Sequence, residues 1–263
     1  MLKAYQDHVE QRAQEELPPL PLEAEQVTAL IALLKQAKNK DSEQCLELLI
    51  HRVPPGVDQA AYVKAGFLTD VAKGNVSCDL IDAVKATQLL GTMMGGYNID
   101  ALIALLDMPE TADAAEKALS KTLLIYDAYH DVVEKSQTND HAKKVVEAWA
   151  NADWFEARQP LADSITVTVF KVPGETNTDD LSPATDAWSR PDIPLHAKAM
   201  LVSKMPDGLE LIETLKQKGH PLAYVGDVVG TGSSRKSAIN SVLWHMGDDI
   251  PYVPNKRQGG VIL

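Results

Sequence analysis

The apolar residues of the first 154 positions recur at spacings of three and four, which is the period of an amphipathic helix. Clear examples are Val27, Leu30, Ile31 and Leu34; Leu46, Leu49 and Ile50; and Ala118, Leu119, Leu123 and Tyr126. Turn-forming residues interrupt the pattern at 18–19, 39–42, 54–56, 73–75, 95–96 and 138–140. The pattern predicts serial helices of about 10 to 17 residues joined by short connections.

Polar residues stand where the N-caps of these helices are expected, at Asp41 or Ser42, Asp58, Asp79 and Asn98. Their side-chain oxygens can accept hydrogen bonds from the free N–H groups of a first turn. Serial helices without a strand pattern favour antiparallel hairpins stacked side by side. Because no fixed repeat length is present, a compact irregular bundle remains the alternative.

The spacing of the apolar residues changes after Pro160. Residues 165–170 and 222–225 are short runs rich in β-branched and aromatic side chains, and each predicts a strand. A proline-rich loop and a predicted helix at 208–218 lie between them, and a glycine turn and a helix opening at Ser233 follow. This order is typical of an α/β fold. We therefore expect a helical domain over residues 1–160 and an α/β domain over 161–263.

Charge and cysteine content exclude several classes of protein. Of 263 residues, 37 are acidic and 25 are basic, and the net charge of −12 disfavours nonspecific binding to nucleic acid or anionic membranes. No apolar run approaches the roughly 20 residues that span a bilayer, and the N-terminus lacks the apolar core of a signal peptide, so we expect a cytoplasmic protein. Cys45 and Cys78 form no CxxC and cannot alone bind a cysteine-ligated cluster.

The glycine turn at 226–237 has the features of an anion site, because glycines allow close approach of a ligand and a helix start presents free N–H groups. It is not a Walker A loop, since Thr231 stands where the second glycine is required. It is not a dinucleotide loop either, since Arg235 replaces the third glycine. Two hydroxyls beside a guanidinium suit a carboxylate. A plain helix cap with a surface ion pair is the alternative.

A second polar cluster occupies residues 175–183 and is followed by Trp188-Ser189-Arg190-Pro191. Taken alone it is a turn-rich loop, because Asn, Asp, Ser and Pro favour turns. Its interest lies in its combination with the glycine turn.

Together the two clusters resemble the swivel domain of the aconitase family, in particular its bacterial B branch. The matching segments are 166–183, 187–196, 222–241 and 247–251, with further likeness in the helical region at 52–58, 61–68 and 89–99. The resemblance implies an N-terminal helical-repeat (HEAT-like) array over residues 1–160, followed by an aconitase swivel α/β domain over 161–263 that is incomplete. We expect the N-terminal portion of a longer enzyme that does not turn over substrate by itself.

The resemblance implies a lyase that interconverts citrate and isocitrate through cis-aconitate and also dehydrates 2-methylisocitrate. Ser233 would be the base, and Arg190 and Arg235 would bind substrate carboxylates. The full implied substrate-binding set is Arg190, Ser233, Ser234, Arg235, Thr178, Asp179 and Ser182. Position 180 departs from the family pattern, because many aconitases have histidine where this chain has aspartate.

The resemblance further implies a [4Fe-4S] cluster held by three cysteines in the full-length enzyme, and neither Cys45 nor Cys78 matches that motif. The implied partners are the catalytic core of the same polypeptide, a second copy through the helical domain, and messenger RNA. A charge of −10 over residues 1–160 argues against RNA binding. The seven histidines have no metal-ligand spacing, and we expect no metal site in this chain.

Overall fold

A computed structural model describes residues 1–160 and 162–263. These residues form two compact units. The helical unit comprises residues 1–4, 21–160 and 252–254, and the α/β unit comprises residues 5–20, 162–251 and 255–263. Each unit is therefore assembled from separate stretches of the chain.

Short helices joined by tight connections make up the helical unit. Their bounds are α1 (Leu2–Gln14), which continues into the other unit, α2 (Ala24–Leu34), α3 (Ser42–His51), α4 (Gln59–Ala72), α5 (Ala83–Leu90), α6 (Ile99–Leu105), α7 (Ala112–Lys121), α8 (Ala128–Lys135), α9 (Asp140–Ala150) and α10 (Asp153–Glu156). Helices close in sequence pack together, as α2 does with α3 and α4, and α7 does with α9. Among the described residues, no helix is long and apolar enough to cross a membrane.

The predicted apolar stripe is the buried face of α2. Val27, Leu30, Ile31 and Leu34 are all buried in α2. The prediction over 118–126 is wrong in its second half, because α7 ends at Lys121 and Leu123 and Tyr126 are exposed. The mixed helical and α/β class is confirmed in outline. Nearest-neighbour packing does not establish a repeat, however, and the HEAT-like array stays a prediction.

The predicted caps have mixed outcomes. Asp58 is confirmed, because its carboxylate accepts a hydrogen bond from the Ala60 N–H at the start of α4. The prediction of Asp79 as an N-cap is wrong, because Asp82 caps α5. The Asp79 carboxylate instead accepts a hydrogen bond from the Lys38 N–H. Asn98 stands at the N-cap position of α6, but its amide donates to the Leu90 carbonyl.

The α/β unit is built on parallel strands. Its elements are β1 (Thr168–Asn177), α11 (Thr178–Leu181), a 3-10 helix (Ala184–Ser189), α12 (Ile193–Ala197), α13 (Gly208–Lys216), β2 (Leu222–Thr231), α14 (Lys236–Met246), β3 (Asp248–Asp249), β4 (Arg257–Gln258) and β5 (Val261–Ile262). β1, β2 and β5 form a parallel sheet with β2 in the centre, and β3 pairs with β4 in the antiparallel sense.

Both long strands end later than their sequences predicted, and the prediction that the first begins at residue 165 is wrong. β1 starts at Thr168 and runs through Pro173 and Gly174 to Asn177, and β2 continues from Leu222 to Thr231. A register shift between Val172 and Glu175 accommodates the Pro-Gly step, which sequence patterns associate with a turn. The polar segment that reads as a loop is therefore in part a strand, since pairing with β2 satisfies its backbone.

The core of the α/β unit lies between the sheet and its helices. Phe170 and Tyr224 are register partners with their rings packed edge to face at 5.6 Å, and both are fully buried. The Tyr224 hydroxyl donates to Thr176 Oγ1 at 3.1 Å, so this polar tip is satisfied inside the core. These two contacts add side-chain packing to the backbone pairing of β1 and β2.

Residues 5–20 belong to the α/β unit, although the sequence placed all of residues 1–160 in the helical region. The cause is an ion pair between Arg12 and Asp192, with 2.8 Å between Nη1 and Oδ2 and both side chains largely buried. Asn255 Nδ2 also donates to the Pro19 carbonyl at 3.0 Å, and Lys198 donates to the carbonyl of Glu15. These contacts join regions far apart in sequence, which local patterns do not reveal.

Candidate functional site

The carboxyl ends of β1 and β2 bring the two polar clusters together. Asn177 and Thr231 are the last register partners of the strands, so Thr178 and Gly232 follow at the same edge of the sheet. Ligand sites of open parallel sheets form outside the carboxyl ends of the strands. Gly232 has φ of +94°, and a Cβ at this position would lie 3.0 Å from Thr178 Oγ1. The two loops therefore meet closely at a glycine.

We expect Gly232→Ala to destabilise the α/β unit more than Gly230→Ala, by about 1 kcal/mol. Both positions have positive φ, so both variants carry backbone strain, but only a Cβ at position 232 meets Thr178. The measurement is urea unfolding of the 263-residue chain. Equal midpoints for the two variants would show that the Gly232–Thr178 approach is not a constraint.

The loop after β1 is held by a capping box around α11. Asn177 Oδ1 accepts from the N–H groups of Asp179 and Asp180 at 2.8 and 3.0 Å, and Asp180 Oδ2 accepts from the Asn177 N–H at 2.9 Å. The departure from the family pattern at position 180 thus has a structural explanation. Asp180 shapes the loop, and the neighbouring Asp179 is left exposed.

Arg235 ties this loop to the glycine turn. Its Nη1 donates to Asp179 Oδ1 in a short ion pair and to the carbonyl oxygen of Ser182 at 3.0 Å. The hydrogen bond from Arg235 holds the pKa of Asp179 below its ordinary value, and the charges of Arg235 and Arg190 add to this effect. The guanidinium is therefore positioned by the loop that contains Thr178, Asp179 and Ser182.

Ser233 and Ser234 are exposed in the turn between β2 and α14. Neither hydroxyl forms a hydrogen bond to another described residue. The 11-residue helix α14 begins at Lys236, and its first turn presents free N–H groups at the positive end of the helix dipole. An open pocket of about 460 Å³ lies here, lined by Thr178, Leu181, Val229, Gly230, Gly232, Ser233, Ser234, Arg235, Ala238, Ile239, Val242 and Ile262.

Arg190 follows the 3-10 helix and does not line this pocket, although its positive charge contributes to the lowered pKa of both Asp179 and His196. Its Nε is buried and has no hydrogen-bond partner among the described residues. A buried donor without a partner is costly unless a ligand satisfies it. The structure thus places Thr178, Ser233, Ser234 and Arg235 at one pocket and joins Arg235 to Asp179 and Ser182, whereas Arg190 does not line that pocket.

His196 joins several of these segments and was overlooked in the sequence, where it is one of the scattered histidines. It is 2% exposed, and its ring nitrogens lie 2.8 Å from Ser182 Oγ and 2.8 Å from Ser189 Oγ. Ser182 Oγ also lies 2.7 Å from Ser237 Oγ in the first turn of α14. In the sequence, the only signal for His196 was its place in the segment 187–196, which also contains Arg190.

The cysteines of this chain do not fit a three-thiolate iron–sulfur site. Both lie in the helical unit, where Cys45 is 1% exposed and Cys78 Sγ donates to the Leu34 carbonyl at 3.5 Å. Burial raises the pKa of the Cys45 thiol, which opposes the thiolate that a metal requires. These two residues therefore give no basis for a reaction step at a cluster.

One group of metal-ligating side chains does converge in the helical unit. Asp113 and Glu116 on α7 flank His141 on α9, with His141 Nδ1 lying 2.7 Å from Glu116 Oε2 and 3.7 Å from Asp113 Oδ1. Lys144 Nζ also contacts Glu116, at 3.4 Å. These contacts account for the cluster as an ion-pair network between two packed helices.

Comparisons with known proteins match both parts of the chain. The family described as "Aconitate B N-terminal domain" matches residues 4–155, and the family described as "Aconitate hydratase 2 N-terminus" matches residues 167–263. Curated proteins named "Aconitate hydratase B" are similar over the whole chain, with 63% identity in Synechocystis sp., 59% in Escherichia coli and 52% in Helicobacter pylori. The chain spans 30%, 32% and 31% of the lengths of these relatives.

Proposed function

The chain belongs to the family that carries the aconitate B N-terminal domain, and on that premise we propose that it is the N-terminal part of an aconitate hydratase. The reaction proposed is the interconversion of citrate and isocitrate through cis-aconitate, with dehydration of 2-methylisocitrate as a further activity. Residues 1–160, apart from the stretch 5–20 that belongs to the α/β unit, are proposed as its helical domain and 161–263 as part of its swivel domain. One observation carries the proposal: the Ser233-Ser234-Arg235 turn presents two exposed serines beside a guanidinium that the Asp179 loop positions.

Substrate binding follows from the charges at this edge of the sheet. Citrate carries three carboxylates, and guanidinium groups recognise carboxylates through paired N–H donors. Arg190 has a buried Nε without a partner in the described part of the chain, and Arg235 keeps donors beyond those used by Asp179 and Ser182. Ser234 and Thr178 add hydroxyl donors at the pocket. These groups bind and orient the substrate.

Ser233 is proposed as the base that takes the carbon-bound proton of the substrate. The alkoxide oxygen accepts the proton and becomes a hydroxyl, while the electron pair of the broken C–H bond moves toward the double bond of cis-aconitate. A serine alkoxide is an expensive base near neutral pH, so it needs positive neighbours. Arg235 and the N–H groups of the first turn of α14 supply that environment.

Departure of the substrate hydroxyl is the part of the reaction for which the family uses a [4Fe-4S] cluster. The two cysteines of this chain do not fit such a site, so its ligands are proposed to lie outside residues 1–263. Residues 1–263 would then contribute the base and the carboxylate-binding groups to an enzyme completed by further chain.

The test compares the 263-residue chain with the full-length, cluster-loaded protein, using formation of cis-aconitate from citrate as the readout. We expect turnover by the full-length protein only. Turnover by the 263-residue chain without iron would overturn the proposal. Normal turnover by a variant of the enzyme from which residues 162–263 have been deleted would also overturn it.

A second candidate function is self-association through the helical unit. An apolar cluster on this unit comprises Val57, Tyr62 and Tyr97, which are 75%, 60% and 36% exposed. Tyr62 and Tyr97 pack edge to face at 5.1 Å, and Tyr97 donates to the Val57 carbonyl. Exposed apolar clusters of this kind are frequent at protein interfaces.

Sedimentation of the 263-residue chain over a range of concentrations tests self-association. We expect Tyr62→Ser to weaken it and Tyr129→Ser, at an exposed tyrosine whose ring packs against His130 and Trp149 instead, to leave it unchanged. A wild-type chain that stays monomeric at every concentration would remove this candidate.

A further inference from the structure

We propose that His196 is a positioning residue that holds Arg190 and Arg235, the two proposed carboxylate-binding arginines, through two separate hydrogen-bonded arms. The proposal rests on the proposed function and deepens it, since it names the residue that sets the spacing of the substrate-binding groups. The first arm runs through Ser182 and the second through Ser189.

The direction of each hydrogen bond follows from donor counting. The Ser189 hydroxyl donates its single proton to the carbonyl of Asp186 at 2.8 Å, so toward His196 it can only accept. His196 Nδ1 must therefore carry the proton and donate to Ser189 Oγ. In the neutral ring Nε2 is then an acceptor, and it receives the proton of Ser182 Oγ.

The neutral state of the ring agrees with its surroundings. Burial lowers the pKa of His196 below its ordinary value, and the positive charge of Arg190 adds to this effect, which outweighs the opposing influence of the Asp186 carbonyl and carboxylate. With its proton directed to His196, Ser182 Oγ accepts from Ser237 Oγ at 2.7 Å. A single ring thus orders a chain of hydroxyls that ends in the first turn of α14.

The Ser182 arm reaches Arg235. The carbonyl oxygen of Ser182 accepts from Arg235 Nη1 at 3.0 Å, while its hydroxyl is bonded to His196 and to Ser237. Residue 182 is fully buried and held on both sides. Loss of the His196 acceptor would remove one of the two hydroxyl contacts of Ser182 and so loosen the carbonyl that helps to orient Arg235.

The Ser189 arm reaches Arg190, which is the next residue in the chain. Arg190 Nε has no hydrogen-bond partner among the described residues. The guanidinium is therefore oriented less by its own bonds than by the backbone that carries it. That backbone is anchored at Ser189, whose hydroxyl is bonded to His196 and to the Asp186 carbonyl.

Two substitutions separate the arms. In His196→Asn the amide nitrogen lies near the place of Nδ1, so it keeps a donor for Ser189 and loses the acceptor for Ser182. In His196→Gln the amide oxygen reaches the place of Nε2, so it keeps the acceptor for Ser182 and loses the donor for Ser189. Each variant thus removes one arm and spares the other.

The experiment measures the inhibition constant of tricarballylate in the full-length, cluster-loaded enzyme, together with thermal unfolding. We expect each variant to raise the constant about 10-fold, the effect of one lost hydrogen bond in a buried network. His220→Gln, at an exposed histidine of the same unit, is the matched control and should leave the constant unchanged.

Double substitutions give the readout that a merely structural role would not produce. Arg235→Lys should raise the inhibition constant by a smaller factor in the His196→Asn background than in wild type. Arg190→Lys should raise it by a smaller factor in the His196→Gln background than in wild type. If the His196 variants do not fold, Ser182→Ala and Ser189→Ala remove the same arms with the ring intact.

The positioning role of His196 would be overturned if the changes in inhibition constant were additive in both double variants. It would also be overturned if the His196 variants unfolded at lower temperatures with an unchanged inhibition constant. Failure of the proposed function has a different signature. In that case Arg190→Lys and Arg235→Lys would leave tricarballylate inhibition unchanged even with His196 intact.

Discussion

Ser233→Ala should lower kcat for citrate in the full-length enzyme by about 10²- to 10⁴-fold, the usual contribution of a positioned base. The alanine leaves the turn in place, because among the described residues the Ser233 hydroxyl makes no hydrogen bond that the fold would lose. KM should change much less than kcat, since the carboxylate-binding groups remain. The measurement is the initial rate of cis-aconitate and isocitrate formation.

Ser234→Ala is the matched control, because both serines are exposed neighbours in the same turn. Ser234 is proposed only to donate hydrogen bonds to substrate, so its loss should raise KM about 10-fold or less and largely spare kcat. Equal turnover by Ser233→Ala and wild type would remove Ser233 from its role as base. Loss of kcat in Ser234→Ala alone would assign that role to the second serine.

Arg190→Gln should raise KM for citrate about 100-fold, or ~2.7 kcal/mol, within the range for removing one partner of a close charge pair. The thermal stability of the variant should not fall. Arg190 has a buried Nε without a partner among the described residues, so its removal sacrifices no hydrogen bond made by that nitrogen. Steady-state kinetics and thermal unfolding of the full-length enzyme provide the two measurements.

Arg235→Gln gives the contrast. This side chain bonds Asp179 and the Ser182 carbonyl, so its loss should lower stability as well as raise KM. Arg158→Gln, in the helical unit, serves as a neutral control. Its guanidinium lies over the ring of Trp154 at 5.4 Å, and it is not one of the proposed substrate-binding groups. A large loss of stability in Arg190→Gln would identify Arg190 as a structural arginine.

The helical face of α2 could be predicted because its buried residues lie at the helical period. The ends of β1 and β2 could not be predicted in this way. β1 contains a Pro-Gly step and a polar tail, both of which indicate a turn locally, and only pairing with β2 keeps this segment extended. Hydrogen bonds between β1 and β2 therefore outweigh the local turn preference of the Pro-Gly step at the end of the sheet where the candidate site lies.

The residue types of the site were readable from sequence, but their connections were not. Arg235 was predicted to bind a carboxylate, and in the structure it also contacts Asp179 and Ser182, which lie more than 50 positions earlier. His196 had no local signal beyond its place near Arg190, because its importance depends on contacts with Ser182 and Ser189 and, through Ser182, with Ser237. Spacing along the chain reveals a motif, whereas a network between segments requires the fold.

Residues 5–20 have a consequence for the order in which the protein forms during synthesis. Arg12 is separated from its partner Asp192 by 180 residues. A ribosome adding about 5–20 residues per second needs roughly 10 to 40 s to make that distance. The stretch that begins the α/β unit thus leaves the ribosome well before the segment it packs against and must remain undocked until synthesis has passed Asp192.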